Sequence, residues 1–158
     1  MNHIDYLRRA NEVALCAREK GNTPFGAILV DDKGEILMEQ GNAESDLHDA
    51  TAHAELTLAS RASRAYDKEF LQKCTLYTTC EPCPMCSGGI YWANIGRLVF
   101  GITEEKLLEL TGSDDKNPTF SMGADKVFAA GQKDIIIEGP FDELTEALCE
   151  AHRGFWTK

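Results

Sequence analysis

The chain has 158 residues, of which 43% are hydrophobic and 27% are charged, as in an ordinary globular protein. A formal net charge of −10 argues against a nucleic-acid partner, because phosphates are bound by clustered Lys and Arg side chains. No apolar run approaches the roughly 18 residues of a membrane span, and the N-terminus has no signal-peptide pattern. We therefore expect a cytoplasmic protein without a membrane partner, with one domain over residues 1–158.

The spacing of apolar residues, together with the glycines and prolines that interrupt it, predicts ten helices and strands along the chain. In order they are a helix over 3–20, strands over 27–30 and 35–39, a helix over 52–64, a strand over 74–79, a helix over 84–93, a strand over 97–101, a helix over 103–110, a strand over 134–138 and a helix over 141–152. Residues 41–50 and 112–123 are predicted to form loops. The pattern of residues 126–130 is ambiguous and does not identify one type of element. A hairpin followed by alternating strands and helices predicts an α/β fold. It is a three-layer α/β/α sandwich with a five-stranded mixed sheet, and residues 74–101 form a right-handed β-α-β unit.

Two short motifs supply a set of metal ligands. Cys83 and Cys86 lie three residues apart after Pro82, and His53 stands thirty residues upstream. Catalytic zinc takes three protein ligands and keeps a fourth position open, and thiolate and imidazole both suit zinc. Pro82 and Pro84 predict that the thiols lie at a helix start, where the helix dipole favours their ionised form. We therefore predict a Zn²⁺ site on His53, Cys83 and Cys86.

Glu55 lies two residues after His53 and is the candidate proton shuttle. The two side chains can converge only if His53 stands at the N-terminal edge of its helix, with Thr51 or Asp49 as the cap. Glu55 would then lie beside a water whose pKa zinc lowers to about 7. The motif thus predicts general acid/base catalysis by Glu55.

The cysteines also permit a closed structural site. Cys80 extends the motif to C-x-x-C-x-x-C, and Cys74 could complete four thiolates for zinc or an iron–sulfur cluster. Such a site would describe a metal-stabilised binding module, and it leaves the pairing of His53 with Glu55 unexplained. A third hypothesis is an acidic interaction scaffold whose site is inactive.

The spacing H-x-E … P-C-x-x-C is the signature of zinc nucleobase deaminases. The chain resembles the cytidine deaminase superfamily, and within it the bacterial guanine deaminase-like branch. The resemblance rests on Pro24-Phe25-Gly26, Gly41-Asn42, Thr51 to Glu55, Leu76 to Cys86 and Gly89 to Ala93. It implies hydrolytic deamination of a free nucleobase, guanine above others, by a homodimer. Cytosine or another amino-heterocycle is the alternative substrate, and tRNA adenosine fits the acidic charge poorly.

The same resemblance implies which residues hold the base. It implies a hydrogen bond from Asn42, an acidic contact from Asp114 or Asp115, and an aromatic lid from Phe155 and Trp156 at the C-terminal end. Phe25 and Ala54, within the shared motifs, complete the expected substrate contacts. The resemblance is weak over Asn117 to Ala130, so the zinc chemistry is better supported than the substrate.

Overall fold

The computed structural model describes residues 1–112, 114–115 and 117–156, and its strands form one five-stranded sheet in the order β2-β1-β3-β4-β5. The strands are β1 (Gly26–Val30), β2 (Ile36–Gly41), β3 (Thr75–Cys80), β4 (Arg97–Ile102) and β5 (Ile136–Glu138). β1 runs antiparallel to both β2 and β3, while β4 runs parallel to both β3 and β5. The predicted mixed sheet, its hairpin and its parallel β3–β4 pair are confirmed.

Eight α-helices and one 3₁₀ helix are found among the described residues. They are α1 (His3–Glu19), α2 (Glu44–Leu47), α3 (Ala54–Ala65), α4 (Lys68–Leu71), α5 (Pro84–Ala93), α6 (Glu104–Thr111), α7 (Ala124–Ala129), the 3₁₀ helix Asp142–Leu144 and α8 (Thr145–Glu150). The four-residue helices α2 and α4 are too short to produce a periodic pattern, and the sequence did not predict them. The closing helix is shorter than predicted, because its first turn is 3₁₀. The ambiguous stretch 126–130 belongs mostly to α7.

Alternate residues of the strands face two separate cores, as expected for a sheet covered on both sides. On one face, Leu29 and Leu98 pack in a cluster with residues of α3, α5 and α7. On the other face, Ile28 and Val99 pack with residues of α1, α6 and α8. The three-layer α/β/α sandwich is therefore confirmed.

Gly26 permits the close approach of α1 to the sheet. A Cβ atom at this position would lie 2.4 Å from the carbonyl oxygen of Ala10 and 2.5 Å from the backbone nitrogen of Ala14. Backbone atoms cannot move aside as a flexible side chain can, so a larger residue here would push the helix off the sheet. Gly26 begins β1 directly after Phe25.

None of the helices in the described ranges is long and apolar enough to span a bilayer. The end of β3 leads through residues 81–83 into α5, so the cysteine motif lies at the carboxyl end of a central strand. In open α/β sheets this edge is the usual place for a ligand site.

Candidate active site and metal centre

His53, Cys83 and Cys86 form a compact cluster of metal-ligand atoms. Their ligand atoms all lie within 4.8 Å of one another, and His53 Nδ1 is 3.5 Å from Cys86 Sγ and 3.7 Å from Cys83 Sγ. One imidazole and two sulfurs match the three-ligand set of a catalytic zinc site. Among the described residues this is the one cluster able to hold a metal ion.

The starts of two helices place these ligands. His53 is the N-cap of α3 and Cys83 is the N-cap of α5, where Pro84 occupies the first turn. Neither Thr51 nor Asp49 caps α3, so that prediction was wrong: no side chain caps the helix. Asp49 instead accepts hydrogen bonds from the backbone nitrogen and hydroxyl of Thr51, at 2.9 and 2.7 Å. His53 thus stands at the helix edge, as convergence with Glu55 requires.

The cluster holds protons that a metal ion would displace. The pKa of the Cys83 thiol is lowered to about 4, because Cys86 and His53 both hydrogen-bond to its ionised form. The same pairing and burial raise the pKa of Cys86 well above its ordinary value, and the Cys83 hydrogen bond raises the pKa of His53 to about 9. Zinc ligands must be thiolate and neutral imidazole, so metal binding should release protons.

The second ring nitrogen of His53 faces an acidic partner. Nε2 lies 3.7 Å from Oε1 of Glu44, and the same oxygen accepts a 2.8 Å hydrogen bond from Nδ2 of Asn42. The Asn42 oxygen accepts in turn from the backbone nitrogen of Glu44 at 3.0 Å. A carboxylate behind a ligating histidine fixes the ring orientation and its tautomer. Glu44 can therefore orient His53, a role that no sequence motif indicated.

Glu55 lies beside the cluster on the first turn of α3 and is only 6% exposed. Burial raises its pKa to about 7, and the negative charge of Cys83 acts in the same direction. A carboxyl group with a pKa near neutrality can both accept and return a proton at physiological pH. Burial is thus the physical cause of acid/base capacity at Glu55.

The two remaining cysteines of the closed-site hypothesis lie elsewhere. Cys80 is buried with its sulfur 3.8 Å from Nε2 of His152, and Cys74 Sγ donates to the carbonyl oxygen of Phe70 at 3.5 Å. Neither belongs to the His53 cluster. The geometry therefore favours a three-ligand site over a closed site with four thiolates.

A cavity of about 390 Å³ opens onto the cluster. Its wall includes residues from six segments of the chain: Phe25, Asn42, Glu44, Ala50, His53, Glu55, Cys80, Glu81, Cys83, Met85, Glu104, Leu107, Asp115, Asn117, Pro118, Thr119 and Phe120. The volume falls within the range of small-molecule sites. Hydrogen bonds join Thr119 to both Thr111 and Asn117, so the loop that closes one side is tied to the end of α6.

Three of the seven predicted substrate contacts line this cavity, namely Phe25, Asn42 and Asp115. The other four do not line it: Ala54, Asp114 and Trp156 are buried, and Phe155 is half-buried. Ser113, within the predicted 112–123 loop, lies outside the described residues. The substrate roles of all seven stay predictions.

Trp156 is packed against the cavity wall from behind. Its ring lies 6.1 Å from that of Phe25, and its Nε1 donates a 2.9 Å hydrogen bond to Nδ1 of His152. His152 in turn contacts Phe25 edge-to-face at 5.3 Å. Trp156 can thus influence the cavity through Phe25 without reaching into it.

Sequence reasoning missed two acidic residues of the wall besides Glu44. Glu81 accepts hydrogen bonds from the backbone nitrogens of Glu104 at 3.0 Å and Ala124 at 2.9 Å, which ties the starts of α6 and α7 to the cysteine motif. Glu104 is 3% exposed, and burial raises its pKa to about 8. Glu81 stands within the motif and could have been suspected, whereas Glu104 resembles an ordinary first-turn acid of α6.

Residues 1–102 match the family model described as the cytidine and deoxycytidylate deaminase zinc-binding region. The chain belongs to this deaminase family. The deaminase is 39% identical to a probable cytosine deaminase of Schizosaccharomyces pombe over 97% of this chain and 91% of that protein. It is 42% identical to the guanine deaminase of Bacillus subtilis over 73% of each chain. A solved structure from a study of A-to-I editing by tRNA:A34 deaminases aligns with a TM-score of 0.71 and 28% identity, over 94% of this chain and 99% of that one.

These similarities agree with the geometry of the site. The deaminase has the family's zinc-binding region, and His53, Cys83 and Cys86 are the residues that could hold the ion. Its relatives act on different bases, so membership establishes a deaminase and leaves the substrate open.

Proposed function

We propose that this deaminase catalyses the hydrolytic removal of an exocyclic amine from a free nucleobase, with guanine as the substrate and xanthine and ammonia as products. The observation that carries the proposal is the position of buried Glu55 beside the His53, Cys83 and Cys86 cluster, at a cavity large enough for a base. A proton shuttle next to a three-ligand metal site is the arrangement that this chemistry requires.

Zinc, when bound by His53, Cys83 and Cys86, supplies the Lewis acid that makes water nucleophilic near neutral pH. Glu55 takes a proton from the attacking water as its oxygen adds to the ring carbon that bears the amine. Glu55 gives this proton to the ring nitrogen, then takes the proton of the new C–OH group and delivers it to the amine, so that the carbonyl forms as the C–N bond breaks and ammonia leaves. Glu44 keeps the His53 ring in place throughout, because it lies behind Nε2.

Guanine is favoured by the bacterial relative and by the acidic cavity wall. The B. subtilis guanine deaminase shares 42% identity, and Asp115 supplies an acidic group at the cavity for the amine and ring N–H groups of guanine. Cytosine is the second candidate, because the S. pombe relative, a probable cytosine deaminase, aligns over 97% of this chain. We place tRNA adenosine below both, since a net charge of −10 disfavours a polyphosphate substrate.

We propose that Phe25, Asn42 and Asp115 contact the base directly. All three line the cavity, and the amide of Asn42 is already oriented by its two hydrogen bonds with Glu44. Ala54, Asp114 and Trp156 would act at the edge of the site through backbone or packing contacts.

We further propose a homodimer that acts in the cytoplasm, with residues 1–158 as one catalytic domain. Trp92 on α5 is 73% exposed, and Gly88, one turn earlier, has open space where a Cβ would stand. A large aromatic beside a flat backbone surface is typical of a protein interface. All six cysteines are unpaired, as is usual in a reducing compartment.

An ammonia-release assay tests the proposed reaction. The zinc-loaded protein is incubated with guanine, cytosine, adenine, other amino-heterocycles and tRNA. We expect guanine to be turned over faster than every other compound. Faster turnover of cytosine would show that cytosine, and not guanine, is the substrate. Release from none of them would refute the proposed function. For the dimer, Trp92→Glu should lower the sedimenting mass while Leu15→Glu, an exposed leucine on α1, should not.

A further inference from the structure

Glu104 carries a buried carboxyl oxygen without a partner at the wall of the cavity. Its Oε2 is inaccessible to water and has no hydrogen-bond partner among the residues that the structure describes. The residue as a whole is 3% exposed and lines the same cavity as Glu55 and His53. An unsatisfied buried carboxyl destabilises a protein, so its presence calls for a compensating role.

The position of Glu104 is set by its backbone. Thr103 caps α6 through a 3.0 Å hydrogen bond from the backbone nitrogen of Lys106, and the backbone nitrogen of Glu104 donates to Oε1 of Glu81. Glu81 belongs to the cysteine motif, so the start of α6 is held at a fixed place relative to the metal centre. The Glu104 side chain is not needed for either bond, and it remains available for another group.

The chemistry of the wall indicates what that group is. Five lining residues are acidic, namely Glu44, Glu55, Glu81, Glu104 and Asp115, and none of the described lining residues is Lys or Arg. Such a wall repels phosphate and favours groups that donate hydrogen bonds. A carboxyl group keeps at least one acceptor oxygen whether it is ionised or protonated, so Glu104 can accept a hydrogen bond from a donor group in either state.

We propose that Glu104 determines specificity by turning its carboxyl group toward the cavity and accepting a hydrogen bond from a ring N–H of the bound heterocycle, at a position other than the departing amine. The inference rests on the proposed function, because the donor belongs to its substrate. A base that is methylated or glycosylated at that nitrogen leaves the Glu104 oxygen unpaired and buried. A site built to pair with a polar group rejects analogues that lack it. Glu104 therefore selects unphosphorylated heterocycles with a free ring N–H.

A substrate-by-variant cycle tests this contact. Binding of guanine, cytosine and their ring-N-methyl derivatives is measured by titration calorimetry on zinc-loaded protein in a Glu55→Ala background, where the base is not consumed. Glu104→Met removes the acceptor at similar length, Glu104→Gln keeps an acceptor oxygen, and Glu105→Met removes the exposed neighbouring carboxylate.

We expect methylation at one ring nitrogen to weaken binding about 10- to 100-fold when Glu104 is present. In Glu104→Met the same methylation should have an effect below about threefold, while Glu104→Gln and Glu105→Met keep most of the discrimination. The thermal midpoint of Glu104→Met should not fall, because an unpaired buried carboxyl has been removed.

Two outcomes would overturn the inference. In the first, Glu104→Met weakens the binding of all bases equally or of none, which means that no ring N–H is coupled to Glu104. Alternatively its thermal midpoint falls while base discrimination is intact, which assigns Glu104 a structural role. Failure of the proposed function is recognised separately, because the zinc-loaded protein with Glu55 intact would then release ammonia from no base.

Discussion

The metal side of the cavity and the wall opposite it are built from the chain in different ways. The metal side uses two helix starts, α3 and α5, whose ligands are set by short local motifs. The opposite wall is made of Phe25 just before β1, Glu104 and Leu107 of α6, and residues 115 and 117–120, which lie far apart in sequence. The metal ligands are therefore encoded in short sequence motifs. Recognition of a particular base instead depends on how distant segments of the chain pack together.

Glu55→Ala is expected to have the largest effect and tests the metal side. We expect turnover to fall about 10³-fold or more, because no other group on the first turn of α3 can move the proton. Zinc content should stay at the level of the unaltered protein, since Glu55 is outside the ligand set. Ammonia release and metal analysis measure the two quantities, with Glu35→Ala in the exposed hairpin turn as the control. Near-normal turnover would remove Glu55 from the mechanism.

Sequence reasoning succeeded where the signal is local. The ligands His53, Cys83 and Cys86 were predicted because donor type and spacing are enough to recognise a zinc site, and the geometry brings them together. The five-stranded mixed sheet followed from a hairpin and the alternating strands and helices after it. Glu44 and Glu104 were missed because acidic residues at the start of a helix are common, and only packing places these two at the cavity. The helix cap was misjudged for a similar reason, since His53 itself occupies the N-cap position.

Trp156→Ala probes how the far wall is supported. The side chain is 8% exposed and packs on Phe25 and His152, so we expect the free energy of unfolding to fall by about 3 kcal/mol. Loosening Phe25 should also lower kcat/KM about tenfold with zinc retained, because small displacements of a substrate wall slow the reaction. Denaturant unfolding and steady-state kinetics measure these effects. Cutting the chain after Gly154 should reproduce both, and an unchanged kcat/KM would separate the C-terminal segment from the site.

His152 makes the same wall sensitive to acid. Burial lowers its pKa to about 4, and the charge of Arg18 acts in the same direction. Between pH 6.5 and about 4 the unfolded chain binds a proton at this ring that the folded chain does not. Stability should therefore decrease as the pH falls through that window, by roughly 3 kcal/mol in total. Protonation would also oppose the hydrogen bond that Nδ1 accepts from Trp156.

The measurement compares denaturant unfolding of the protein and of His152→Asn at pH 7.5 and at pH 5. At pH 7.5 the variant should be less stable than the unaltered protein. Between pH 7.5 and pH 5 it should lose less stability than the unaltered protein loses. If both proteins lose the same amount, other groups account for the acid sensitivity, and the C-terminal packing has no part in it.

Substitution of Asp114 or Asp115 is expected to have the smallest effect. The two substitutions test which acidic residue of this segment contacts the base. Asp115 is exposed and lines the cavity, whereas Asp114 is 5% exposed and does not. Asp115→Asn should lower kcat/KM by about threefold to tenfold through a weakened hydrogen bond to the base. Asp114→Asn should leave kcat/KM unchanged and lower the thermal midpoint, because it alters a buried acid beside the end of α6. The reverse pattern would place Asp114 at the substrate and show that Asp114 changes its packing when the base binds.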